Sequence, residues 1–71
     1  MECFRSYTDK YSTTELVEII NKATYDDGNE ENGQTVYNKD TTVIFIPSVW
    51  GGFIVSVYDQ SGDRLADARV E

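Results

Sequence analysis

The sequence predicts an α+β fold, one helix packed on one face of a four- to five-stranded antiparallel sheet. Three observations carry that expectation. Ser12-Thr13-Thr14-Glu15 forms a capping box that opens a single amphipathic helix. The later runs, above all Thr41-Thr42-Val43-Ile44-Phe45-Ile46, are β-branched and aromatic, as strands prefer. Short segments holding Asn, Asp and Gly join these runs, as between antiparallel neighbours.

The helix is expected over residues 13–24. Leu16, Ile20 and Ala23 recur at helical spacing and Ile19 widens the stripe, while Glu15, Glu18 and Lys22 fall outside it. Tyr11 before the cap can meet Leu16 in a hydrophobic staple. From Tyr25 to Gln34 the pattern gives way to Asp, Asn, Glu and Gly, which predicts a loop. Strands are expected at 35–38, 42–47, 53–58 and 64–70. The 42–47 run is almost continuously apolar, which predicts a central strand with both faces at least partly covered, ended by Pro47. Residues 59–63 read as a hairpin turn with Gly62 in the left-handed position. The opening segment, Glu2 to Thr8, is a candidate edge strand whose alternation is poor. Leu16, Ile20, Val43, Phe45, Val55 and Val57 are the expected core.

Residues 1–71 make one small acidic domain. Thirteen Asp and Glu against six Lys and Arg give a net charge of −7, so nucleic acid and phosphate ligands are repelled and basic surfaces attracted. With 39% hydrophobic and 13% aromatic residues, the chain is too apolar for a disordered acidic tail. Cys3 has no partner for an internal disulfide, and no apolar stretch resembles a signal or membrane segment, so the expected compartment is the cytoplasm. A second copy of the chain is one expected partner, since oligomerisation stabilises small cores.

Chemistry is excluded more firmly than binding. There is no His, so neither a Ser-His nor a Cys-His pair can form, and no catalytic residue is assigned. No P-loop or GxGxxG is present, and no cofactor is expected. Asp27, Asn29 and Glu31 alternate like the start of a calcium loop, but Asn32 stands where Gly is needed and Asn38 where Glu is needed. No metal site is therefore assigned. Cys3 beside Arg5 reads as a small packing residue, and Arg64 and Arg69 are expected to pair with the neighbouring Asp63, Asp67 and Glu71.

The remaining constellation is acid together with an aromatic. Glu15 and Glu18 share the helix surface, and Asp26, Asp27, Glu30 and Glu31 follow at its end, so six carboxylates could make one negative stripe. Such a stripe complements the basic groove in which a protein holds a nucleic-acid backbone. Trp50, beside Gly51 and Gly52, is the candidate apolar anchor.

Thr14-Glu15-Leu16-Val17-Glu18-Ile19-Ile20, Val43-Ile44-Phe45-Ile46 and Tyr58-Asp59-Gln60-Ser61-Gly62-Asp63 together resemble the uracil-DNA glycosylase inhibitor family of small, acidic, phage-encoded proteins. That family imitates DNA with carboxylates and grips one enzyme side chain in an apolar pocket. The family's leading helix has no counterpart before Ser12, and Tyr7 stands near the place of an edge-strand acid. The resemblance therefore implies a strategy and not a particular target. Anti-CRISPR, anti-restriction and other anti-defence proteins share the same size and charge. The expected function is inhibition of a basic, nucleic-acid-handling host protein by an acidic DNA-mimic surface. The alternative is a regulatory, antitoxin-like module binding through Trp50 and a sheet edge.

Overall fold

The computed structural model describes residues 2–27, 35–37 and 40–71, with the backbone alone at 24–27 and 35–37. Its elements run β1 (Glu2–Ser6), α1 (Thr13–Asp27), β2 (Thr35–Tyr37), β3 (Thr41–Pro47), β4 (Phe53–Asp59) and β5 (Arg64–Val70). The five strands form one sheet in the order β1-β5-β4-β3-β2, antiparallel throughout. The α+β class predicted from the sequence is the fold observed.

The capping box forms as read. Glu15 N donates to Ser12 Oγ at 3.1 Å, and Ser12 N donates back to Glu15 Oε1 at 2.8 Å. These two bonds satisfy amides that the first helical turn leaves without partners. Tyr11 packs against the core that contains Leu16, as the staple requires.

Leu16, Ile20 and Ala23 bury one helical stripe against Val43 and Phe45 of β3, Val55 and Val57 of β4, and Leu65, Ala66 and Ala68 of β5. All six residues expected in the core are buried. Phe45 meets Phe53 edge-on, with ring centroids 6.1 Å apart. Alternation decides the rest, because residues two apart share a sheet face. Small Ala66 and Ala68 on β5 lie opposite Val57 and Val55, which keeps this layer close-packed.

One expectation is corrected. The helix continues through Tyr25, Asp26 and Asp27, where the sequence suggested that a loop had begun. The opening segment does join the sheet, pairing with β5. Its alternation fails for a local reason: Cys3 has φ 54°, and the register shifts between Glu2 and Arg5, as at a β-bulge. β3 lies inside the sheet as expected, paired with β2 on one edge and β4 on the other, and β4 holds the middle. The second face of β3 is partly covered, as expected, with Ile44 half-buried and Ile46 51% exposed. Its apolar run reflects β-branched preference for the strand as well as burial.

Candidate partner-binding surface

Trp50 sits at the tip of the β3–β4 connection. Gly51 N donates to Ser48 O and Ser48 N donates to Gly52 O, both at 3.0 Å, which closes a tight turn. Gly51 and Gly52 take φ of 96° and 69°, a region that other residues rarely enter. Ser48 Oγ accepts from Trp50 N at 3.2 Å and so ties the tip to the strand end. With its backbone fixed from below, the side chain of Trp50 is left 82% exposed, beside Val49 at 92%.

A second restraint comes from across the sheet. Arg69 Nη2 on β5 donates to the carbonyl oxygens of Trp50 at 3.1 Å and Gly51 at 3.3 Å. The sequence suggested an acidic partner for Arg69; its observed acceptors are these turn carbonyls. Only the hairpin geometry, which brings residues 19 apart together, could have revealed that. Arg64 does meet an acid as expected, with Nη1 3.6 Å from Asp67 Oδ2. Tyr7 Oη also donates to Asp67, at 3.0 Å. Arg64 further lies 5.8 Å from the centre of the Tyr58 ring, and hydrogen bonding to the Tyr58 hydroxyl pushes its pKa upward.

The predicted acidic stripe is only partly within the described residues. Glu15 and Glu18 are both exposed on α1. One oxygen of Glu15 is occupied by the cap. Asp26 and Asp27 lie in the last turn of the helix, where no basic residue accompanies them. Acids at that end oppose the helix dipole, each typically costing about 0.3–1 kcal/mol. Glu30 and Glu31 lie outside the described residues, as does most of the calcium-like spacing at Asp27, Asn29 and Glu31. Among the described residues no group of three or more His, Cys, Asp or Glu could hold a metal ion.

The opposite end of the sheet is polar. Asp59 Oδ1 accepts from Ser61 N and Asp63 N, both at 2.9 Å, and Oδ2 lies 3.5 Å from Lys10 Nζ. The Asp63 amide, with further help from Ser61 and Lys10, holds the Asp59 carboxyl below its ordinary pKa. An open groove of about 260 Å³ runs beside it, between Tyr11, Asp40 and Gln60. A carboxylate so fully engaged in turn hydrogen bonds is a structural anchor and a poor proton acceptor. Cys3 is exposed, and in a chain without His it has no imidazole base to activate it.

Sequence reasoning found Trp50 but missed Val49, Ile46 and Ile54, which are also exposed. Strand alternation could have separated Ile46 and Ile54 from Phe45 and Val55, had the buried face been fixed first. Among the described residues, no helix is long and apolar enough to cross a membrane. No family model, curated protein or solved structure matches the chain.

Proposed function

We propose that this protein is a non-enzymatic inhibitor that occupies a basic, nucleic-acid-handling surface of a host protein. Acid on and after α1 draws it there, and Trp50 anchors it. The observation that carries this reading is the exposure of Trp50 on a turn fixed by Arg69 and Ser48, in a chain of net charge −7. A rigid aromatic gives contact area without a large ordering cost on binding. Trp is also among the residues most often found at binding hot spots.

The placement of Asp26 and Asp27 supports the electrostatic part. Acid held at the helix end where the dipole disfavours it lowers stability, so solubility alone is a weak reason for putting it there. Each exposed charge pair is worth only about 1 kcal/mol at contact in water. Several together can still raise association rates by about 10- to 1,000-fold and compete with a phosphate backbone.

The test begins with the partner retrieved by affinity capture, followed by binding kinetics. Duplex DNA or RNA should compete, and added salt should weaken the complex. Changing Glu15, Glu18, Asp26, Asp27, Glu30 and Glu31 to their amides should slow association. The fold should survive, because Glu15→Gln keeps an oxygen that can complete the capping box. Trp50→Ala should speed dissociation. Association that ignores both nucleic acid and the amide changes would sink the mimic reading.

A second reading, an interaction module that binds without mimicry, is favoured by the same exposed Trp50. It predicts that Trp50→Ala removes binding while the amide variant retains it.

A further inference from the structure

We propose that the sheet face turned away from α1 is a homodimer interface, on which a second copy of the chain docks through Ile44, Ile46 and Ile54. Cross-strand register defines this face. Ile44, Ser56 and Asp67 stand in one row that ends at Arg5, and Ile46, Ile54 and Arg69 stand in the next, ending at Glu2. The helix stripe buries the opposite face with Val43, Phe45, Val55 and Val57. Ile46 and Ile54 remain 51% and 40% exposed as adjacent cross-strand partners.

Charge selects the occupant. A chain of −7 repels its own copies across most of its surface. This face is the exception, because Arg5, Arg64 and Arg69 are three of the six basic residues and occupy these rows or the adjoining Tyr58 pair. Asp67 and Glu2 are the acids in the same rows, so the local balance is close to neutral. A second copy meets little repulsion here. A strongly basic partner finds little acid to pair with, and is better served by the helix side.

The face is also divided in a way that suits two-fold symmetry. Its apolar half lies on β3 and β4, and its charged half on β5 and β1. Two-fold pairing can set isoleucines against isoleucines and leave the charges at the rim. Two such sheets stack about 10 Å apart with strands about 30° off parallel. The 29 strand residues, each covering about 3.3 Å along its strand and about 4.8 Å across it, give about 460 Å² in projection. Two faces of that size fall short of the roughly 1,600 Å² of a standard interface, so the dimer is weak and concentration-dependent.

Salt should act on this dimer in the opposite sense to binding of a basic partner. Screening removes the net repulsion between copies and leaves apolar burial intact, so added salt tightens the dimer. This inference uses neither Trp50 nor the acidic stripe, and its failure would leave the proposed function where it stands.

The chain has five isoleucines, which makes the methyl groups a built-in map. In a dilution series of methyl-labelled protein, the Ile44, Ile46 and Ile54 resonances should shift, while Ile19 and Ile20 of the helix stay fixed. Sedimentation should move with concentration from 8.1 kDa toward twice that mass, more readily at high salt. Ile46→Thr with Ile54→Thr should abolish the association without lowering the thermal midpoint of the dilute protein. A monomer at every concentration and salt overturns the proposal. So do shifts that fall on Ile19 and Ile20, or a double variant that associates as tightly as the parent. If the double variant fails to fold, the methyl map of the parent decides alone.

Discussion

The 48–52 and 59–63 turns close their hairpins with the same pair of backbone hydrogen bonds, yet they present opposite surfaces. In each, the first residue donates its amide to the carbonyl of the fifth, and the amide of the fourth returns to the carbonyl of the first. In each, the fourth residue is a glycine with φ near 90°: Gly51 at 96° and Gly62 at 91°. The tip positions differ entirely, with Val49 and Trp50 in one and Gln60 and Ser61 in the other. Equal backbones with unequal tips show that the geometry asks only for the glycine. Burial does not explain Val49 and Trp50, the apolar tip that the proposed anchoring would use.

The anchoring of the two turns differs as well. The 59–63 turn secures itself, with one carboxylate taking two of its own amides and the Lys10 ammonium. The 48–52 turn has a single hydroxyl contact from Ser48 and relies on Arg69 from β5. Its fifth position is also glycine, where the other turn has Asp63. A side chain at Gly52 would overlap the Val70 carbonyl oxygen, which belongs to the backbone of β5 and cannot move aside.

The largest expected effect is therefore at Gly52. Gly52→Ala combines a φ of 69° with that overlap and should cost about 2–6 kcal/mol. For a domain of this size, much of the total stability would be lost, because native chains hold only about 0.05–0.15 kcal/mol per residue. Chemical denaturation would measure it. A loss under about 1 kcal/mol would mean that β5 can retreat from the turn.

Gly62→Ala sharpens the contrast, because a Cβ there meets open space and only φ opposes it. A cost of about 1–2 kcal/mol is expected, clearly smaller than at Gly52. Equal losses at both positions would show that the Val70 contact contributes nothing.

How much of this was legible in the sequence follows from the range of the interactions. The capping box, the staple and Gly62 depend on neighbours within a few residues, and each was readable. So was the core, because Leu16, Ile20, Val43, Phe45, Val55 and Val57 lie on simple periods. β1 was harder to read, since its bulge at Cys3 breaks the alternation that marks a strand. The exposure of Ile46 and the clamp from Arg69 depend on which face the helix covers and on strand order. Neither is written in local pattern. Trp50 could be named as a candidate because glycines beside an aromatic mark a turn.

A smaller effect is expected from Asp59→Asn, which keeps an acceptor for the Ser61 and Asp63 amides but removes the charge. The Asp63 amide holds the Asp59 pKa below its ordinary value, so ionised Asp59 favours the folded state above that value. The contribution is lost as pH falls below about 4, through the lowered folded-state pKa. Thermal melts should place the parent above the variant at neutral pH, with the gap closing in acid. A gap that is unchanged down to the acid limit would mean that the charge of Asp59 adds nothing to the turn. No such acid-dependent anchor is expected for the 48–52 turn, which is held by a hydroxyl and a guanidinium.

The smallest effect on stability should come from exchanging the apolar tip for the polar one, Val49→Gln with Trp50→Ser. Trp50 serves its turn through main-chain atoms, its amide bonded to Ser48 Oγ and its carbonyl to Arg69. Neither bond depends on the indole, and Ser61 occupies the equivalent place in the other hairpin. Both side chains are almost fully exposed, so their removal opens no cavity. Stability should change by no more than about 0.5 kcal/mol, the usual range for surface substitutions. Dissociation from the captured partner should nevertheless become much faster, because exposed tryptophan is where binding energy concentrates. A fall of several degrees in the thermal midpoint would show instead that the indole packs on the end of the sheet. Unchanged dissociation with an intact fold would remove Trp50 as the anchor and shift attention to the acid of α1.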